Sequence, residues 1–168
     1  MSKQIGLISD THGNLPESVL KHFKTCDEIW HAGDIGGLAI TDQLAKIAPI
    51  RVVYGNIDGQ QERSEFPAFQ FFMCEQVPVF MIHIGGKPGY MPPAAKATWE
   101  KLEQKPKIFI CGHSHITRVQ YDKKYEHLHM NPGAAGNHGF HQVKTILKFT
   151  LDKGEIKNLQ LIELGKRA

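Results

Sequence analysis

Residues able to bind metals recur at one kind of place in this sequence, directly after short apolar runs. Asp10 and His12 follow Ile5–Ile8, and Asp34 follows Ile29-Trp30. Asn56 and Asp58 follow Val52-Val53, His83 follows Val79–Ile82, and His113 and His115 follow Ile108–Cys111. The last stretch reads as a buried strand that halts at Gly112 and then offers two imidazoles one residue apart. Alternate side chains of an extended chain share a face, so His113 and His115 are expected to face one spot; Asp10-Thr11-His12 repeats the spacing. Taken singly, each step has a plainer reading: Gly-Asp and Gly-Asn steps make turns, and a lone His-X-His faces solvent. Recurrence at five strand ends is what the plain readings do not explain.

The donor chemistry narrows the occupant. Carboxylates, imidazoles and one carboxamide, without a thiolate, suit manganese, iron, nickel or zinc. They suit calcium or a cysteine-type structural zinc less well. Asp10, His12, Asp34, Asn56, His83, His113 and His115 are more ligands than one ion needs. Two ions sharing one carboxylate would use them all, and ion pairs about 3.5–4 Å apart are a recurrent device for phosphate-ester hydrolysis.

Positioning such residues takes strands whose carboxyl ends meet. Lys3–Ser9, Glu28–His31 and Ile50–Tyr54 read as strands. The helix after the first runs from about Pro16 to Phe23, with Asn14 as a candidate cap, and Leu38–Ile47 carries apolar residues at helical spacing. Strand–helix alternation predicts a parallel sheet with right-handed crossovers, whose site lies in the crevice beyond the strand ends. Phe69–Cys74 and Val77–His83 read as a hairpin around Glu75-Gln76. Gly85–Pro93 reads as a loop, and Ala94–Gln104 as a helix. Thr117–Tyr121 with Glu126–Met130, and Val143–Leu151 with Ile156–Leu164, predict two further antiparallel pairs.

Composition sets limits. The 168 residues suit one domain, 1–168, with its own core; 41% are hydrophobic and 22% charged. A net charge of +3 is too small to make nucleic acid the main partner. No apolar run is long enough for a bilayer, and no leader is visible. Cys26, Cys74 and Cys111 are isolated and odd in number, which fits a reducing cytoplasm rather than a disulfide framework.

Asp10-X-His12, Gly33-Asp34, Gly55-Asn56-X-Asp58, His83 and Gly112-His113-X-His115, in this order, resemble the calcineurin-like metallophosphoesterases. Ser9–Gly13 and Asn131-Pro132-Gly133 look like the small prokaryotic phosphodiesterase branch. The resemblance implies an α/β four-layer α-β-β-α sandwich of two mixed sheets flanked by helices. It implies a first ion held by Asp10, His12, Asp34 and His115, and a second by Asp34, Asn56, His83 and His113. Asp34, Asn56, Asp58 and His113 are then the catalytic group, with Asp58 orienting the site. The expected cofactors are two divalent transition-metal ions, manganese foremost, with nickel, iron or zinc as alternatives. The expected reaction is attack on a small phosphodiester by a metal-bridging hydroxide. No stable nucleic-acid complex and no membrane partner are expected, and a homodimer is left open. The alternatives are a phosphomonoesterase or nucleotidase on the same site, and a non-catalytic scaffold like the retromer subunit of this fold.

Two departures stand out. Many members have a histidine where this chain has Ile57, and the branch often has His-Gly-His where this chain has His83-Ile84-Gly85. Among the remaining residues, His31 is expected to support the site or the core rather than ligate. His138 and His141 are expected to be solvated loop residues, and Cys111 a small hydrophobe. Lys87, Tyr90 and Arg63 are candidate phosphate contacts, and Gly85–Pro93 is the place to look for a lid.

Overall fold

Ile5 and Leu7 of the first strand point to one side, and Ile8 to the other; all three are fully buried. A strand buried on both faces lies inside a layered structure. The computed structural model describes all of residues 1–168. Its elements are β1 (Ser2–Ile8), α1 (Glu17–Phe23), β2 (Glu28–His31), α2 (Leu38–Ala45), β3 (Ile50–Val52), α3 (Gln60–Glu65), β4 (Phe69–Cys74), β5 (Val77–Ile82), α4 (Pro93–Glu100), β6 (Ile108–Ile110), β7 (Arg118–Asp122), β8 (His127–Asn131), β9 (Val143–Asp152) and β10 (Glu155–Lys166).

Two mixed five-stranded sheets result, in the orders β10-β9-β1-β2-β3 and β4-β5-β6-β8-β7. β1, β2 and β3 run parallel, as do β5, β6 and β8; the flanking pairs are antiparallel. The expected parallel sheet is thus present, but its β1 edge is extended by the C-terminal hairpin β9–β10. Inner faces meet in one apolar cluster that joins Ile5, Leu7, Trp30 and Phe149 to Phe72, Val79, Met81 and Ile110. Trp30 sits edge-on to Phe72 at 4.9 Å and to Phe149 at 5.7 Å, pinning the sheets together. On the outer face of the first sheet, Val19, Phe23, Ile40 and Leu44 of α1 and α2 cover Ile8 and Ile29. On the outer face of the second, Ala95 of α4 packs with Phe80 and Phe109. These are the four layers α-β-β-α.

Local differences from the sequence reading have physical causes. Asn14 does not cap α1; that helix follows Pro16 without a side-chain cap. α3 was not expected, because Gln-Gln-Glu-Arg-Ser-Glu carries no apolar stripe; Glu62 is its one buried residue. The β4–β5 turn does fall at Glu75-Gln76, both at positive φ (48° and 67°), which gives the twist a two-residue hairpin needs.

Two histidines on the outer face of the second sheet make stability depend on pH. His127 stacks on Phe109 at 4.8 Å, and His129 on the same ring at 5.6 Å; both are almost fully buried. Burial pulls each pKa down to about 4. A histidine depressed below its ordinary ~6.5 contributes full stability above that pH and loses it as pH falls toward 4. The loss is on the order of 1–3 kcal/mol per histidine. Urea unfolding of metal-free protein should show stability falling between about pH 6.5 and 4. His127→Phe should flatten the slope, and an unchanged slope would contradict this assignment.

Candidate metal centre

The carboxyl ends of the six parallel strands converge. Past β1, the chain runs beside the loop after β2: Asp10 and His12 donate backbone N–H groups to Gly33 O and Asp34 O at 2.9 and 3.0 Å. From the second sheet, Gly112 N–H donates to His83 O at 2.9 Å, and His113 N–H to Asp10 Oδ2 at 3.0 Å. These bonds hold the loops of both sheets against one another.

Asp10, His12, Asp34, His113 and His115 all adopt positive φ, between 46° and 72°. Only Asp, Asn and His among residues with a side chain enter this region with any ease, at a cost of about 1 kcal/mol each. The alternate-residue rule therefore does not account for His113 and His115: strand geometry ends at Ile110, and left-handed turns aim the two rings. They do not face one spot. Ligand atoms of Asp10, His12 and His115 form one group within 4.8 Å of each other, and those of Asp34, His83 and His113 form another.

Asp34 lies between the groups. Its Oδ1 is 3.2 Å from His83 Nε2, and its Oδ2 is 3.3 Å from His12 Nε2. Asp10 divides its labour differently: Oδ2 accepts from Ser9 Oγ (2.7 Å) and from His113 N–H, while Oδ1 faces His115 Nε2 at 3.2 Å. Asn56 Oδ1 is 3.0 Å from His113 Nδ1, at the exposed side of the second group.

The fit to metal ions rests on atoms left over. Asp10 Oδ1, His12 Nε2 and His83 Nε2 are buried without a hydrogen-bond partner, although buried polar atoms are seldom left so. His83 Nδ1 donates to Ala32 O at 2.7 Å, which leaves the Nε2 lone pair for a ligand, the usual arrangement of a metal-binding histidine. Asp10 and then Asp34 raise the His12 pKa to about 9. Burial alone would lower the His83 pKa, but Asp34 and Asp10 outweigh it and raise it. Burial opposes ionisation of Asp10 and Asp34 too, yet their histidine neighbours hold both pKa values well below the carboxylate range. Two anions and several lone pairs converging here seek cations, and mixed O/N donors suit transition metals.

Asp58 is buried, and its carboxylate accepts from Ile35 N–H (2.9 and 3.1 Å), Gly36 N–H (3.0 Å) and Gly55 N–H (2.8 Å). It orients the site through the backbone, tying the Asp34 loop to the Asn56 loop, and not through the Asn56 side chain. Arg63, a candidate phosphate contact, donates instead to Asp58 O at 2.7 Å and covers Tyr54. His31 is fully buried: Nδ1 accepts from Gly33 N–H, and Nε2 meets Thr11 Oγ1 at 3.0 Å. It braces the loops and does not ligate. Two glycines are sterically required: a Cβ on Gly112 would lie 2.7 Å from Asp10 Oδ2, and one on Gly55 would lie 2.9 Å from Asp34 Cγ.

Sequence reasoning missed three contributors. His138 stacks on His12 at 4.8 Å while remaining exposed, as expected, and the half-buried His141 meets His115 edge-on at 5.1 Å, so the loop after β8 borders the first group. A histidine-bearing, glycine-rich loop was the visible signal, but its destination was not. Asn131 ends β8 and donates to Gly112 O (3.0 Å) and Ser114 Oγ (3.1 Å), fixing the turn that presents both histidines. An open cleft of about 280 Å³ exposes His12, Asp34, Asn56, Ile57, His113 and His115 together.

Residues 4–154 match the calcineurin-like phosphoesterase superfamily domain. The chain belongs to this superfamily. A probable metallophosphoesterase of Methanothermobacter thermautotrophicus is 30% identical over 135 residues, 77% of this chain and 76% of that one. Among solved structures, a protein described as a novel archaeal phosphodiesterase superposes with a TM-score of 0.73 at 22% identity, covering 96% of this chain and 99% of that one. Vps29 of Entamoeba histolytica, crystallised with zinc, superposes at 0.68 with 18% identity, covering 95% and 98%. The solved structures share the fold with this chain, and membership of a metal-dependent phosphoesterase family supports a hydrolase acting on phosphoester bonds. No helix is long and apolar enough to cross a membrane.

Proposed function

We propose that this chain is a dinuclear metallophosphodiesterase acting on small phosphodiesters. The observation that carries the reading is Asp34, whose two oxygens face two separate ligand groups. Asp10, His12 and His115 would hold one divalent ion, Asn56, His83 and His113 the other, and Asp34 both. Manganese is the first choice, with nickel, iron or zinc as alternatives. Bound there, the ions would supply Lewis acidity and an acidified water near neutral pH.

The protein's own groups bind and orient. His113, held by Asn56 Oδ1 at Nδ1, would keep Nε2 for the ion, and the exposed Asn56 amide N–H₂ can donate to phosphoryl oxygens as their charge grows. Asp58 holds the loops that carry Asp34 and Asn56. One domain of 168 residues carries the whole site, and three free, buried cysteines suit a reducing cytoplasm. Because a Vps29 was crystallised with zinc, metal binding alone does not separate enzyme from scaffold; turnover does.

Ile57 favours diesters. It is about half exposed and lines the cleft, where it can offer no proton to a leaving oxygen. General acids are typically worth about 10²–10⁴-fold, and an alkyl monoester needs one most. The manganese-loaded protein should show higher kcat/KM for a nitrophenyl diester than for the matched monoester. Ile57→His should raise the monoester rate relative to the diester rate by about tenfold. If wild type prefers the monoester, the phosphomonoesterase reading replaces this one.

A further inference from the structure

We propose that a cavity beside the metal centre, framed by Lys87 and Arg118, binds a second anionic group carried on one arm of the diester substrate. The proposal rests on the phosphodiesterase reading and deepens it. The cavity, of about 260 Å³, meets the metal-centre cleft at Ser114, which lines both. Ser114 lies between His113 and His115, so a group entering this cavity starts beside both ligand groups.

Its cations are uncommitted. Lys87 and Arg118 have neither a carboxylate partner nor a side-chain hydrogen bond. Two unpaired cations facing one concavity draw an anion, and arginine suits carboxylate or phosphate through its paired donors. His129 forms part of the wall, but burial holds its pKa near 4, so it adds no charge at neutral pH.

The frame is rigid. Lys87 and Tyr90 exchange backbone hydrogen bonds of 3.1 and 2.9 Å, and Gly89 N–H donates to Asp122 Oδ2 at 2.9 Å. The segment 85–93 thus forms a hydrogen-bonded wall that carries Lys87 at the rim. Arg118 pairs across β7–β8 with Asn131. Asn131 donates to Ser114 Oγ, which also accepts from Ile116 N–H at 3.2 Å. The Ser114 hydroxyl proton therefore remains to donate toward a substrate oxygen at the junction. Beyond Pro92, the other side of the same wall lines an apolar pocket of about 250 Å³ with Tyr54, Ile82 and Ile84, next to Asn56 and His83. The two arms of a diester thus meet different surroundings, one apolar and one cationic.

The test compares two p-nitrobenzylphosphonate monoesters, which lack the scissile aryl oxygen, carrying a propyl or a 2-carboxyethyl arm. Binding to manganese-loaded protein is measured by calorimetry at low salt. The carboxyethyl compound should bind about tenfold more tightly, and this preference should shrink as salt is raised. Lys87→Gln/Arg118→Gln should abolish the preference while leaving propyl affinity unchanged, which also reports an intact site. Equal binding in the wild type, a preference kept by the double variant, or an equal loss for both compounds would overturn the proposal. Turnover of the corresponding nitrophenyl diesters is followed separately. If neither is hydrolysed, the phosphodiesterase reading fails while the binding comparison still decides the cavity.

Discussion

Asp34→Asn should strip metal from both ligand groups at once and lower kcat/KM by more than about a thousandfold, roughly 4 kcal/mol. The substitution keeps the size of the side chain, so the fold should survive, but it removes one acceptor oxygen and the charge. In the wild type, Oδ1 faces His83 Nε2 at 3.2 Å and Oδ2 faces His12 Nε2 at 3.3 Å. An amide turns an N–H₂ toward one of these lone pairs and leaves two cations facing each other with one anion fewer between them. Asp10→Asn is the informative control. Its free Oδ1 is nearest His115 (3.2 Å) and His12 (3.7 Å), in the first group, and lies 3.9 Å from His83 of the second, so it should weaken the first ion much more than the second. Metal content after dialysis, read alongside turnover, separates the two. A variant at position 34 that keeps more than about a tenth of the wild-type rate, a loss under about 1.4 kcal/mol, rules Asp34 out as the shared ligand.

Asp58→Ala should destabilise the metal-free protein by about 3 kcal/mol or more. The carboxylate receives four hydrogen bonds from the N–H groups of Ile35, Gly36 and Gly55. Deleting it strands three backbone donors, each costing about 1–3 kcal/mol if it stays unsatisfied. Activity should fall with stability, because Asp34 and Asn56 sit on the loops that Asp58 ties together. Asp58→Asn retains one acceptor oxygen and should fall between. Urea unfolding without metal is the direct readout, since bound ions would mask part of the loss. A cost under about 1 kcal/mol for the alanine variant would mean that water replaces the carboxylate and that Asp58 is not the tie.

Much of this was legible in the sequence, for identifiable reasons. Strands buried on both faces announce themselves as apolar runs, and Asp10, Asp34, Asn56, His83 and His113 mark where those runs stop. The four-layer arrangement followed from resemblance, since nothing local in Val143–Lys166 says that β9 returns to pair with β1. α3 was hidden because it buries almost nothing. The aiming of His113 and His115 was reasoned from strand alternation, whereas the chain has already left the strand and turns left-handed at both residues. Such turns depend on supports far away in sequence, such as Asn131 donating to Gly112 O, and spacing does not reveal them. The contacts of His138 with His12 and of His141 with His115 were missed for the same reason: a loop's composition shows that it bends, not what it bends over. Asp58 was named from its motif as an orienting residue, but that it works through the backbone of the loops was not visible, and Arg63 was offered as a phosphate contact although it donates to Asp58 O.

The shared role of Asp34 is most directly tested by anomalous diffraction from crystals grown with manganese. Two peaks per chain are predicted, one among Asp10, His12 and His115 and one among Asn56, His83 and His113, with Asp34 contacting both. A single peak, or two peaks of which either lacks Asp34, would contradict the dinuclear account.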